Sequence, residues 1–316
     1  MVTKAEVEMA YRLILGREAE NDGVVTAHAR PERSLSALRD AFLTSEEFRV
    51  RVGNLDVGCK PLNWPAIPVE VDVSDHRLEQ MIERIEREFK YLGETEPHWS
   101  VLSTDRFKSD AIKGHEEEFF ASGKGVVDEL RAAAARCDVD LGSLDRCFEL
   151  GCGLGRSTIW LADQFKHVIA ADISSTHLAL AEQTIRRFGK NNVTLRHVNS
   201  VRLFEAETPF DAFFSIIVLQ HNPPPLISFI LRTVLARLRP GGIAYFQMPT
   251  YIVGYKFEVE LYLSNRQPPG VPEMHVVPQH MLFKLINDCD CRLLEIREDP
   301  AAGLRAVSSR VFVQKR

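Results

Sequence analysis

The segment CFELGCGLGRSTIWLADQFKHVIAADIS, Cys147 to Ser174, carries three glycines at alternate positions. Gly151, Gly153 and Gly155 follow a short apolar run and precede a helical pattern. Few conformations satisfy that order: a strand must end, the backbone must turn tightly without Cβ atoms, and a helix must begin. Such a loop lets main chain approach a ligand closely at a strand end. The dinucleotide fingerprint spaces its glycines G-x-G-x-x-G so that a pyrophosphate rests on the helix N-terminus. Here the spacing is G-x-G-x-G, and Glu149 precedes it. A carboxylate there would repel a pyrophosphate but suits a ligand bearing an ammonium and a sulfonium. Asp172 ends the next apolar run about 20 residues after the loop, where a carboxylate accepts hydrogens from both hydroxyls of a ribose.

From Cys147 onward short apolar runs alternate with helical segments. Strands are expected at 147–151, 167–172, 193–198, 210–217 and 242–248, and helices at 155–165, 174–188, 225–238 and 278–288. This alternation predicts an α/β fold with a parallel sheet covered on both faces. The final runs, CRLLEIRED and SSRVFVQKR, have no helix between them and predict an antiparallel hairpin at the sheet edge. A nicotinamide-binding domain would normally continue with another βα unit.

The ordered segments FELGCGLGR, VIAADIS, DAFFSIIVLQH and LRPGGIAYFQMP resemble the first, second, fourth and fifth-strand motifs of the class I S-adenosylmethionine-dependent methyltransferases. The likeness covers roughly residues 110–316. It implies a Rossmann-like seven-stranded sheet, mostly parallel with an antiparallel C-terminal hairpin, and S-adenosylmethionine as cofactor. Carried over by residue, it implies that Glu149, Gly151, Gly153 and Gly155 line the methionine part, with Cys152 a small filler in the same loop. Asp172 would hold the ribose, Ile173 would flank the adenine, and Gln220 would help to close the site. Where the family often has an acid near the adenine amine, this chain has Asn199 and Ser200.

Methyl transfer from a sulfonium is an in-line displacement, so the protein mainly aligns the reactants and excludes water. A hydroxyl acceptor also benefits from a base, and His221 in LQHNPPP stands at the end of the fourth strand. Two roles are open to it: removing the acceptor's proton, or ordering the proline-rich loop. The insertion after the fifth strand, PTYIVGYKFEVELYLSNRQPPGVPEMHVVPQH, reads as a substrate lid, with Tyr251, Tyr255 and His275 as pocket candidates. Aromatic packing or a dimer contact accounts equally well for the tyrosines. His98 and Trp99 are candidate caps over the cofactor, with Phe119 and Phe120 expected in the core. Consecutive Glu116, Glu117 and Glu118 point in different directions on a helix, so no metal is assigned.

Residues 1–53 read as a small all-α module, opened by Thr3 and Glu6 in capping-box spacing, with further helices starting at Ser34 and near Ser45. Its pattern YRLILGRE followed by LRDAFLTSEEFR resembles a bacterial domain-of-unknown-function family, the 4214 type. That resemblance implies a setting in surface-polysaccharide assembly. A linker is expected at 54–73 and the main domain at 74–316, including helices within 74–140 and a lid at 249–277. The net charge of -5 and the lack of a dense basic stripe argue against nucleic acid as partner. No run of about 18 apolar residues exists, and acids interrupt the N-terminal apolar pattern, so a cytoplasmic protein without integral membrane association is expected. Six cysteines, Cys59 among them, lack a C-x-x-C pair, which suits reduced thiols. The favoured acceptor is a sugar of a cell-surface glycan or a related glycoside. A lipid or natural-product acceptor, and a catalytically silent cofactor-binding scaffold in glycan assembly, are the alternatives. A homo-oligomer, or a glycan-assembly partner held by the N-terminal module, remains open.

Overall fold

The computed structural model describes residues 2–30, 32–45, 47–48, 64–265, 268–303 and 306–316, which fall into two compact units divided at Trp64 and Pro65. In the first unit, α1 (Lys4–Leu15), α2 (Asp22–His28) and α3 (Leu35–Leu43) surround a core of Val7, Tyr11, Leu15, Val25, Leu38 and Phe42. Tyr11 meets Phe42 edge to face at 4.8 Å between ring centroids. Thr3 and Glu6 form the expected reciprocal cap of α1, and Ser34 caps α3. The short α2, capped by Asn21, has too few residues for its periodicity to show in the sequence. Most of the helix expected from near Ser45, the first half of the linker, and Cys59 lie outside the described residues.

The second unit is built on a seven-stranded sheet in the order β3-β2-β1-β4-β5-β7-β6. The strands are β1 (Arg146–Leu150), β2 (His167–Asp172), β3 (Val193–His197), β4 (Phe210–Ser215), β5 (Leu238–Ile252), β6 (Cys291–Asp299) and β7 (Ala306–Lys315). The first five pair in parallel, and β7 lies antiparallel between β5 and β6. β5 extends well beyond its expected limits because its second half pairs with β7 alone, beyond the end of β4.

Alternation along each strand divides the core into two layers. Phe148, Phe213 and Phe246 face α4 (Asp75–Thr95), α10 (Pro224–Ala236) and α12 (Gln279–Asp288). Cys147, Ala170 and Phe214 face α6 (Glu116–Arg136), α7 (Thr158–Gln164) and α8 (Ser175–Arg187). Three further helices were not anticipated: α5 (Pro97–Val101), α9 (Val201–Ala206) and α11 (Val259–Ser264), of at most six residues each. Among the described residues no helix is long and apolar enough to cross a membrane.

Phe213 lies 6.1 Å from Phe148 and 6.4 Å from Phe246 between ring centroids and is almost wholly buried. Phe213→Ala is expected to cost about 3–5 kcal/mol through lost burial and the cavity left behind. Urea unfolding measures this, and a loss under about 1 kcal/mol would show that the layer collapses around the gap.

Candidate functional site

The loop after β1 is tied to the end of β2. The Gly151 and Cys152 N–H groups donate to Ala171 O at 2.7 and 3.0 Å, and Gly153 N–H donates to Asp172 Oδ2 at 2.8 Å. Ser174 N–H donates to Asp172 Oδ1 at 2.8 Å, so the carboxylate is fixed at both oxygens, each with a further lone pair. Gly151 and Gly153 have φ of +77° and +52°, and a Cβ on them would lie 2.1 Å from Val218 and 2.7 Å from Val101. Only glycine satisfies both the conformation and the approach.

Asp172 borders a cavity of about 80 Å³ walled by Gly151, Gly153, Ile173 and Val198 and covered by Phe89 of α4 and by Ser100 and Val101 of α5. A smaller space of about 20 Å³ holds Glu149, Cys152 and Arg156. Val101 borders both. Glu149 is buried, accepts from Thr158 Oγ1 at 2.6 Å, and is pushed up to about 7 by its removal from water. Burial pulls Arg156 down to about 10; its guanidinium donates to Ser122 Oγ, and its Nε is buried without a hydrogen-bond partner.

A third cavity, about 490 Å³, opens between α4 and the insertion after β5. Its walls carry Glu83, Arg84, Arg87 and Glu88 from α4, with Tyr262 and Glu273 opposite. Arg84 stacks 4.0 Å above the Tyr262 ring centroid and donates to Glu273 Oε1 at 2.7 Å. His221, Phe89 and Ile85 border both this cavity and the one at Asp172. The His221 Nδ1 lies 3.0 Å from Glu273 O, and desolvation holds the ring near a pKa of 4, so it is neutral at pH 7.

The remaining expected site residues are distributed unevenly. Ile173 is on the Asp172 cavity wall. Gly155 faces α8, where its Cβ would meet Thr184 and Ala181 at van der Waals distance. Asn199 donates to Glu86 and Ser200 to Glu79, tying them to α4 rather than to a cavity wall. Gln220 is buried beside His221. Tyr255 hydrogen-bonds the buried His275 at 2.8 Å behind the large cavity's wall, and Tyr251 donates to Pro65 O; none of the three borders a cavity described above. His98 packs on Phe119 at 5.0 Å, while the cover over the loop comes from its neighbours Ser100 and Val101. Phe89 reads in the sequence as part of the apolar face of a charged helix packed against the main domain, though not as a site residue; Val101, Val218 and Glu273 give no site signal, since chain folding alone brings them there. Arg156 could have been noticed from its place directly after the glycine loop.

These features fit S-adenosylmethionine: a glycine cradle, a ribose-competent carboxylate, and a buried carboxyl that a ligand cation would favour in its charged form. Residues 148–242 match a family model described as a methyltransferase domain. Protein-L-isoaspartate O-methyltransferase 1 of Polaromonas sp. is 31% identical over 104 residues, covering 33% of this chain and 41% of the relative. Protein-L-isoaspartate O-methyltransferase 2 of Syntrophobacter fumaroxidans is 28% identical over 130 residues, covering 41% and 48%. The chain thus spans less than half the length of these curated relatives. Magnesium protoporphyrin IX methyltransferase from Synechocystis, solved with bound SAH, superposes with a TM-score of 0.53 at 17% identity over 75% of this chain and 100% of that one. The same enzyme with bound SAM gives 0.51 at 15% identity, over 78% and 100%. The fold is that of the class I methyltransferases. Residues 148–242 thus resemble a methyltransferase domain, and S-adenosylmethionine is the cofactor this likeness supports.

Because the folded-state pKa of Glu149 lies above its ordinary value of 4.5, the folded protein retains a proton that the unfolded chain loses. Its contribution is present below pH 4.5 and lost as pH rises to about 7. Glu149→Gln removes this dependence and is expected to gain roughly 3 kcal/mol relative to wild type between pH 4.5 and 8. Urea unfolding at the two pH values checks it; an unchanged difference would mean that Glu149 is ionised throughout.

Proposed function

We propose that this chain is an S-adenosylmethionine-dependent methyltransferase that O-methylates a sugar of a surface polysaccharide or a related glycoside. The observation that carries the reading is the meeting of two cavities at His221, one containing the ribose-competent Asp172 and the other large enough for an acceptor. When bound, the cofactor supplies an electrophilic methyl group on a sulfonium. Asp172 would accept hydrogen bonds from the ribose hydroxyls, and Glu149 would meet the ammonium. Ile85 and Phe89 form apolar walls at the junction and limit water there. His221, neutral at pH 7, accepts the acceptor's hydroxyl proton at Nε2, because Nδ1 is committed to a carbonyl.

The acceptor side favours a polyhydroxylated compound over a lipid. Glu83 and Glu88 offer carboxylates for hydroxyl groups, and Arg84 and Arg87 add positive charge to the same walls. The O-methyl transfer named for the two curated relatives supports oxygen as acceptor. The likeness of the N-terminal module to the 4214-type family supports the surface-glycan setting.

Labelled methyl from S-adenosylmethionine, offered to fractionated host extract, is expected in the glycan fraction; label confined to lipid or protein would reject the sugar. Asp172→Ala is expected to weaken S-adenosylhomocysteine binding about 10- to 100-fold by calorimetry. His221→Ala should leave that affinity within about twofold and slow transfer about 100-fold, and full activity would remove the base role.

A further inference from the structure

Behind His221 runs a chain of buried side-chain amides that reaches neither the solvent nor a cavity wall. Gln247 of β5 is fully buried, and Gln220 and Ser308 are nearly so. Ile217 N–H donates to Gln247 Oε1 at 3.1 Å. Gln247 Nε2 donates to Gln220 Oε1 at 3.0 Å and to Ser308 Oγ at 2.6 Å. Gln220 Nε2 lies 3.3 Å from His221 Nε2, and His221 Nδ1 lies 3.0 Å from Glu273 O.

An isolated glutamine amide can be turned over with little change in shape. Here both ends of the chain are backbone groups whose roles cannot exchange. The Ile217 N–H only donates, so Gln247 must present its oxygen to it and its NH₂ to Gln220. Gln220 therefore faces Gln247 with its oxygen and His221 with its NH₂. At the other end the Glu273 carbonyl only accepts, so His221 carries hydrogen on Nδ1 and a bare lone pair on Nε2. Each link thus has one consistent orientation. Ile217 itself has φ of +61°, which for a β-branched residue is a strained conformation, and its N–H is satisfied by Gln247.

We infer that Gln247 is a positioning residue for methyl transfer: by accepting the Ile217 N–H it fixes, through Gln220, the neutral tautomer that His221 presents where the two cavities meet. This rests on the reading of His221 as proton acceptor. The long 3.3 Å contact leaves the Nε2 lone pair directed yet weakly held. Other groups that bear on the ring's charge are Arg84 and Glu88 of α4, Glu273 and His275 of the insertion, and Asp172 and His177 across the smaller cavity.

The test is ¹⁵N NMR of the histidine rings, assigned with His221→Asn, together with steady-state kinetics. At pH 7 wild type is expected to show His221 protonated at Nδ1 and bare at Nε2; an Nε2–H signal would overturn the inference without any variant. In Gln247→Glu, at a pH where the buried carboxyl is ionised, one oxygen still accepts from Ile217 but the other cannot donate to Gln220. The Gln220 amide then turns over, its oxygen faces His221, and Nε2 takes a proton. The His221 titration should move up by more than about one pH unit, with kcat falling at least about tenfold near neutral pH and KM for S-adenosylmethionine unchanged. An unmoved titration with this carboxylate shown to be ionised would refute the coupling. Gln247→Met, neutral and similar in size, should give mixed Nδ1–H and Nε2–H signals; a wild-type pattern there would count equally against it. Failure of the methyltransferase reading is distinguishable, because wild type would then not bind S-adenosylhomocysteine, whatever the tautomer.

Discussion

Three main-chain donors from the loop after β1 close onto the end of β2, two on the Ala171 carbonyl and one on the Asp172 carboxylate. This contact fixes the rest of the site, because it sets the glycine cradle and the ribose-competent acid in one rigid piece. Glu149 is then left on the opposite side of the β1 end, in a space too dry for an unpaired charge. A single strand end therefore offers two chemically different environments a few residues apart.

The cover over this piece is tied to the same strand end. Ser174 Oγ donates to Phe89 O, and Thr176 Oγ1 to Lys90 O, joining the start of α8 to the last turns of α4. Gly93 permits the approach, since a Cβ there would come within 2.2 Å of Thr176 Oγ1. At the larger cavity the Arg84–Glu273 pair joins α4 to the insertion, and the Glu273 carbonyl engages His221. One helix thus borders both cavities, which makes their separation a property of α4 rather than of two independent loops.

What was legible in the sequence was whatever local pattern controls. Strands with alternating or continuous apolar residues, the G-x-G-x-G turn and the acid ending β2 all announce themselves within a few residues. The short α9 and α11 did not, because about six residues hold too little periodicity. The wall residues Val101 and Glu273 were invisible for a different reason: they reach the site by packing across long sequence separations. Tyr251, Tyr255 and His275 were sensible pocket candidates by composition, yet Tyr255 and His275 satisfy each other's polar atoms in a buried pair, and Tyr251 reaches the Pro65 carbonyl. Gln220 illustrates the limit from the other side, for its position was readable but its hydrogen-bond partners were not.

Val101 stands between the space at Asp172 and the space at Glu149, its side chain against Gly153. Both spaces therefore share one wall. A ligand with one half at Asp172 and the other at Glu149 would touch Val101 with both halves, whereas a fragment seated in either space alone would touch it with one; the placing of α5 thus bears most on the ligand that fills both.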